Sequence, residues 1–123
     1  MPNRALLIKE PWASKVVSGE KTIEIRTMQT KKIGQEIYIA QAGTKTLIGK
    51  ATIVKCVQLT MKDYIQLQHQ ACLTRSGLQQ LFSTKRIYGW YLKDAMKFDK
   101  PIPYDHPRGA QVWIKIPKAA ELE

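Results

Sequence analysis

The chain has few thiols, few acids and no long apolar run, and each shortage excludes a class of protein. Cys56 and Cys72 are its two cysteines. They lie far apart without metal-type spacing, which excludes a disulfide scaffold or a zinc module and reads as reduced core thiols. No apolar stretch approaches the length of a spanning helix, and the run Ala5 to Ile8 is too short for a signal peptide. A cytoplasmic location without membrane contact is the expectation. There is no phosphate-binding or dinucleotide Gly-rich fingerprint, no internal repeat, no metal-ligand cluster, and no Ser or Cys nucleophile with a partner motif. His69 has no His, Cys or acidic partner at ligand spacing and reads as a surface or packing residue. No metal or cofactor is expected, so any chemistry must come from charged side chains.

Acidic residues are the sharpest shortage. Ten Asp and Glu face twenty Lys and Arg, a net charge of +10. That balance suggests a polyanionic partner, held through phosphate contacts and counterion release. With 123 residues, 44% hydrophobic and 24% charged, the chain suits one domain with one core. We expect that domain over 1–117, a disordered tail at 118–123, and a monomer.

What is present concentrates between Lys9 and Thr27. Pro11 suits the start of a short helix, and Ser18-Gly19 supplies its stop. From Thr22 the residues alternate, with Ile23 and Ile25 on one strand face and Thr22, Glu24 and Arg26 on the other. Lys21 precedes the strand, so three charges meet where the chain reverses. They are either a solvated face of surface pairs or, if the helix covers them, the lining of a polar cleft. Trp12 either packs in the core or closes that cleft with a flat surface.

Around this centre, Ala5 to Lys9 reads as an apolar central strand, and Met28 to Lys32 as a mobile basic loop beside the cleft. Ile33 to Ala42 and Leu47 to Leu59 read as strands, the second with a bulge near Gly49 and with Ile48, Ala51, Ile53 and Val57 competing for its buried side. Thr60 is a candidate cap for a helix over Met61 to Ala71, and Thr74 for a second one through Phe82. Tyr88, Trp90 and Leu92 share a face of the next strand. Trp90 reads first as core; its alternative is to stack a base beside Lys85 and Arg86. Asp94 to Phe98 reads as a turn and short edge segment, Pro101 to Gly109 as a stiff loop over the barrel mouth, and Ala110 to Ile116 as the last strand.

The string Leu7 to Arg26, with its Pro11-Trp12-Ala13 helix start and its Gly19-x-Lys21-x-x-Glu24-x-Arg26 turn and strand, resembles the ASCH domain of the PUA-like superfamily. The likeness extends more loosely to Gly34 through Ile39, Ile48 through Ala51, Trp90 through Leu92 and Pro101 through Pro103. It implies an α+β fold: a small PUA-like β-barrel of five to six mostly antiparallel strands, with a short helix after the first strand and a helical insertion before the last strands. It also implies a cleft between the first helix and the barrel that takes RNA, another nucleic acid or a nucleotide-like small molecule. In that picture Lys21 and Arg26 contact phosphate or a base edge, Glu24 accepts from a base or orients Arg26, and Lys31, Lys32, Lys85 and Arg86 extend the phosphate track. Charge reversal at Lys21 would then remove affinity and leave the fold intact. The alternative that the family implies is a small hydrolase, either an acylated-nucleoside amidohydrolase or a ribonuclease, using Lys21, Glu24 and Arg26. Of the amidohydrolase pattern only Lys21 matches: Glu24 stands where that group has Thr, and its later Glu has no equivalent.

Overall fold

The computed structural model describes residues 2–72 and 86–116. Among these residues six strands and two helices follow in the order β1 (Arg4–Ile8), α1 (Trp12–Val17), β2 (Ile23–Arg26), β3 (Glu36–Gln41), β4 (Thr46–Leu59), α2 (Met61–Ala71), β5 (Ile87–Pro103) and β6 (Trp113–Lys115). The strands form one sheet, ordered β2-β5-β4-β3-β1-β6, in which only β1 and β3 run parallel. The architecture is the mixed α+β, barrel-like one expected, although backbone pairing leaves β2 and β6 as the two ends of the ladder. Side chains bridge those ends. Arg26 of β2 donates to the Leu7 carbonyl of β1 at 2.9 Å, and Trp90 of β5 stacks on Trp113 of β6 at 5.8 Å between ring centroids.

Alternation explains most of the core. Leu6, Ile8, Ile37, Ile39, Ala51, Ile53, Trp90 and Leu92 gather inside with Ala13, Val16 and Val17 of α1. A second cluster, built from Ala5, Tyr38, Ala40, Leu47, Tyr104, Ile114 and Ile116, fills the other end. Val57 departs from expectation: it is exposed. The β4–β5 register shifts three times, including between Leu47 and Gly49, and each shift moves the following residues relative to the faces. Gly49 also has a packing reason to lack a side chain, because a Cβ there would stand 2.3 Å from the Met96 carbonyl oxygen and 2.5 Å from Val17 Cγ1. Gly49→Ala should therefore cost about 1–3 kcal/mol, measured as a lower urea midpoint at unchanged slope.

Local signals hold for α2. Its capping box is complete, with Asp63 N–H donating to Thr60 Oγ1 at 3.1 Å and Thr60 N–H to Asp63 Oδ2 at 3.0 Å. Other segments differ from the sequence reading. Asp94 to Phe98 is no turn, and Pro101 to Pro103 no loop: both belong to β5, paired with β4 as far as Thr46↔Pro103. The reason is topological. β2 pairs only with residues 88–91 of β5, so the rest of β5 has a free edge, where a proline lacking its N–H is tolerated. Asp94 absorbs the bend at φ 54°. The strand expected from Ile33 begins instead at Glu36, after Gly34 at φ 81°. The last strand shrinks to Trp113–Lys115 because a turn closes with Ala110 N–H on the Pro107 carbonyl. The helix through Phe82 and the tail at 118–123 lie outside the described residues. No helix among them is long and apolar enough to cross a membrane.

Candidate functional site

The turn at Gly19 (φ 85°) aims Lys21 back under the sheet and starts β2 two residues later. β2 lies against β5 with Glu24 opposite Trp90 and Arg26 opposite Tyr88. Directly paired residues share a sheet face, so the polar side of β2 looks the same way as the aromatic side of β5. Ile23 takes the other side, near Leu59 and Gly89. The helix that borders this region is α2, whose last turn delivers backbone carbonyls: Thr22 N–H donates to Gln70 at 2.9 Å, and Lys21 Nζ donates to Ala71. The first helix packs instead on β3, β4 and β5. It also reaches the start of the charged strand, because Lys21 N–H donates to the Lys15 carbonyl at 2.9 Å.

The three charges form one chain of contacts. Glu24 Oε2 accepts from Arg26 Nε at 3.1 Å and from Arg26 Nη2 at 2.9 Å, and Glu24 Oε1 lies 3.7 Å from Lys21 Nζ. Charges this enclosed are stable only when paired, and here a single carboxylate serves two cations. Burial holds the Lys21 ammonium below the ordinary lysine value, outweighing the pull of Glu24. The carbonyls at the C-terminal end of α2, the negative end of its dipole, favour the charged form. Exposure then separates the two cations. Lys21 is 1% exposed, whereas the Arg26 side chain retains 18%. Arg26 spends Nε and Nη2 on Glu24 and Leu7, while no described residue accepts from its Nη1.

Beside this row stands an aromatic wall. The Arg26 guanidinium is 5.9 Å from the Trp90 ring centroid, and Trp90 stacks nearly parallel, at 14°, on Trp113. The segment after β2 is fastened to the wall at three points. Trp90 Nε1 donates to the Met28 carbonyl at 3.0 Å, Gln29 Nε2 to the Tyr88 hydroxyl at 3.4 Å, and the Lys32 ammonium sits 5.2 Å from the Trp113 ring centroid. A cation on an exposed ring contributes about 0.5–1 kcal/mol, so the Lys32 contact is weak and easily exchanged. The loop after β2 thus lies across the wall.

A family model described as "ASCH domain" matches residues 6–102, most of the chain. The chain belongs to the ASCH domain family. Its fold is similar to the crystal structure of ASCH from Zymomonas mobilis, with TM-score 0.78, 22% identity, and 94% of this chain and 87% of that one covered. It is equally similar to two single-residue variants of that protein. A Ser-to-Ala form gives TM-score 0.78 at 21% identity, and a Tyr-to-Phe form 0.79 at 22%; both cover 96% of this chain and 92% of theirs. No curated protein matches the chain.

In this ASCH domain, then, the expected site residues separate into groups. Lys21, Glu24 and Arg26 come together as one network. Lys32 joins them through the tryptophan pair, Lys31 is exposed on the same loop, and Arg86 is exposed at the foot of β5. Lys85 lies outside the described residues. Trp12 is half-buried against the main core. Trp90 is fully buried, so it is a wall and not a free platform. Cys56 and Cys72 are free thiols but only partly buried, less enclosed than core thiols would be. Cys72 ends α2 in a left-handed conformation. Trp113 and Gln29 were missed by the sequence reading. Both depend on which strands and loops become neighbours across the barrel, and local alternation carries no sign of that. Among the described residues no group of His, Cys, Asp and Glu could hold a metal ion.

Proposed function

We propose that this ASCH domain binds RNA or a nucleotide-type ligand, with Arg26 as its anchoring contact. The observation that carries the reading is the state of Arg26: one edge of the guanidinium is fixed by Glu24 and Leu7, which leaves the Nη1 edge for an outside acceptor. A pre-oriented guanidinium suits a phosphate oxygen or a base edge, because little side-chain freedom remains to be lost on binding. The net charge of +10 and the exposed Lys31 and Arg86 favour a polyanion on the same side of the argument. Glu24 serves this reading as the orienting carboxylate. The hydrolase alternative is weaker, since Glu24 Oε2 is already taken by both Arg26 donors and its Oε1 faces the enclosed Lys21 ammonium.

Fluorescence anisotropy with a mixed-sequence single-stranded RNA 10-mer tests the proposal. The wild type should bind with a marked salt dependence, and Arg26→Lys should weaken binding about tenfold, because an ammonium keeps the charge but loses the fork. Absence of salt-sensitive binding by the wild type would overturn the reading. So would the appearance of cleaved RNA, or of deacylated product from acylated nucleosides, by mass spectrometry with loss of that product in Glu24→Gln. Replacing both Lys31 and Lys32 by Glu should flatten the slope of log affinity against log salt by about two phosphate contacts. An unaltered slope would remove that loop from the phosphate track.

A further inference from the structure

We infer that Trp113 is a nucleobase-stacking subsite, covered in the free protein by the Lys32 ammonium, and that the ligand is therefore an unpaired nucleotide or single-stranded RNA rather than a duplex. The inference rests on the RNA-binding reading and adds the part of the ligand that phosphate contacts do not recognise.

Trp113 lies on β6, at the end of the sheet, and is half-buried. Its ring is held against Trp90, whose own indole is fixed by the Met28 carbonyl, so its orientation is set before any ligand arrives. Tryptophan packed merely as core would have carbon neighbours on its accessible side. Here a lysine ammonium is placed over the ring, 5.2 Å from its centroid. Among the described residues that ammonium forms no ion pair: the cations paired there are Lys21, Arg26 and Lys50. An unpaired cation resting on an aromatic face is a replaceable occupant. A nucleobase offers that face a larger and flatter partner, and base stacking on an aromatic side chain is the stronger of the two contacts. Displaced from the ring, the Lys32 ammonium becomes available to the nucleotide's own phosphate. Arg26, which faces the opposite member of the tryptophan pair, then takes a neighbouring phosphate or base edge. A base engaged in a duplex keeps both faces stacked on its neighbours, so it cannot enter.

The test compares three probes on the full chain: the single-stranded RNA 10-mer, the same RNA annealed to its complement, and an abasic 10-mer with the same phosphates and no bases. The wild type should prefer the single strand to both others by about tenfold or more. Trp113→Leu should lower single-strand affinity about 10- to 100-fold and leave the abasic chain's affinity unchanged. Trp113→Phe, which keeps a smaller ring and guards against a packing failure, should fall between. Lys32→Gln should lessen the salt slope for every probe and leave the preference for bases over abasic sites intact. Equal binding of the abasic and base-bearing chains by the wild type, or an equal loss for both in Trp113→Leu, would overturn the subsite while leaving the Arg26 reading standing. No salt-sensitive binding of any probe would overturn both.

Discussion

Glu24→Ala is expected to destabilise the domain by about 3–5 kcal/mol, the range found when one member of a buried ionic network is removed. The loss is large because, among the described residues, Glu24 is the one carboxylate against these two cations: its Oε2 takes both Arg26 donors and its Oε1 faces Lys21 at 3.7 Å. Without it, among the described residues a 1% exposed ammonium keeps the Ala71 carbonyl alone, and Arg26 the Leu7 carbonyl alone. In a domain of 123 residues such a loss lowers the midpoint of thermal unfolding by roughly 10–20 °C. Glu24→Gln should fall short of this, since an amide oxygen still accepts from Arg26 although its charge is gone. Circular dichroism melts of the three proteins decide it. A Glu24→Ala midpoint within about 2 °C of the wild type would mean that water and chain relaxation compensate the cations, and that the network has little hold on the fold.

How far the sequence disclosed this network depended on distance along the chain. The alternation of Ile23 and Ile25 against Glu24 and Arg26, with the glycine turn before them, is local, and it marked the right residues. The capping box of α2 and the bulge near Gly49 are local signals too, and both appear. What covers the charges is not local. α2 supplies the Ala71 carbonyl from 50 residues away, and β1 supplies the Leu7 carbonyl from 19. Nothing within β2 names either partner; the nearest helix in sequence holds only the Lys21 backbone, through the Lys15 carbonyl, among the described contacts. The same holds for Trp113, which meets Trp90 only because the sheet curls until β6 approaches β5. Asp94 and the prolines at 101 and 103 misled for the complementary reason. They carry turn chemistry, but a strand with a vacant edge accommodates it.

Lys21→Glu should be the most damaging single substitution considered, and it should act on folding before it acts on any ligand. The change places a second carboxylate against Glu24 at a fully buried position and removes the donor to Ala71. Two enclosed carboxylates cannot both ionise without a large penalty, so the variant must bind a proton or unfold. We expect a loss of more than about 4 kcal/mol at pH 7, partly recovered near pH 5 as the pair takes up a shared proton. Charge reversal at Lys21 is thus no test of ligand contact. Lys21→Met is the informative partner: it keeps the length, leaves the Glu24–Arg26 pair in place, and should retain RNA affinity within about threefold. The wild type carries the opposite pH signature. Because burial lowers the Lys21 pKa, the unfolded chain holds a proton that the folded chain has released between that lowered value and the ordinary lysine value of 10.5. Stability contributed through Lys21 therefore rises with pH across that window. Tyr38, Tyr64 and Tyr104, whose pKa values burial raises, oppose it only from about pH 10 upward, where unfolded tyrosines ionise first. Urea unfolding from pH 7 to 10.5 should show the wild type gaining stability relative to Lys21→Met, a comparison in which the shared tyrosines cancel. A constant difference across that range would mean that Lys21 keeps its proton throughout, with Glu24 and the α2 carbonyls outweighing burial.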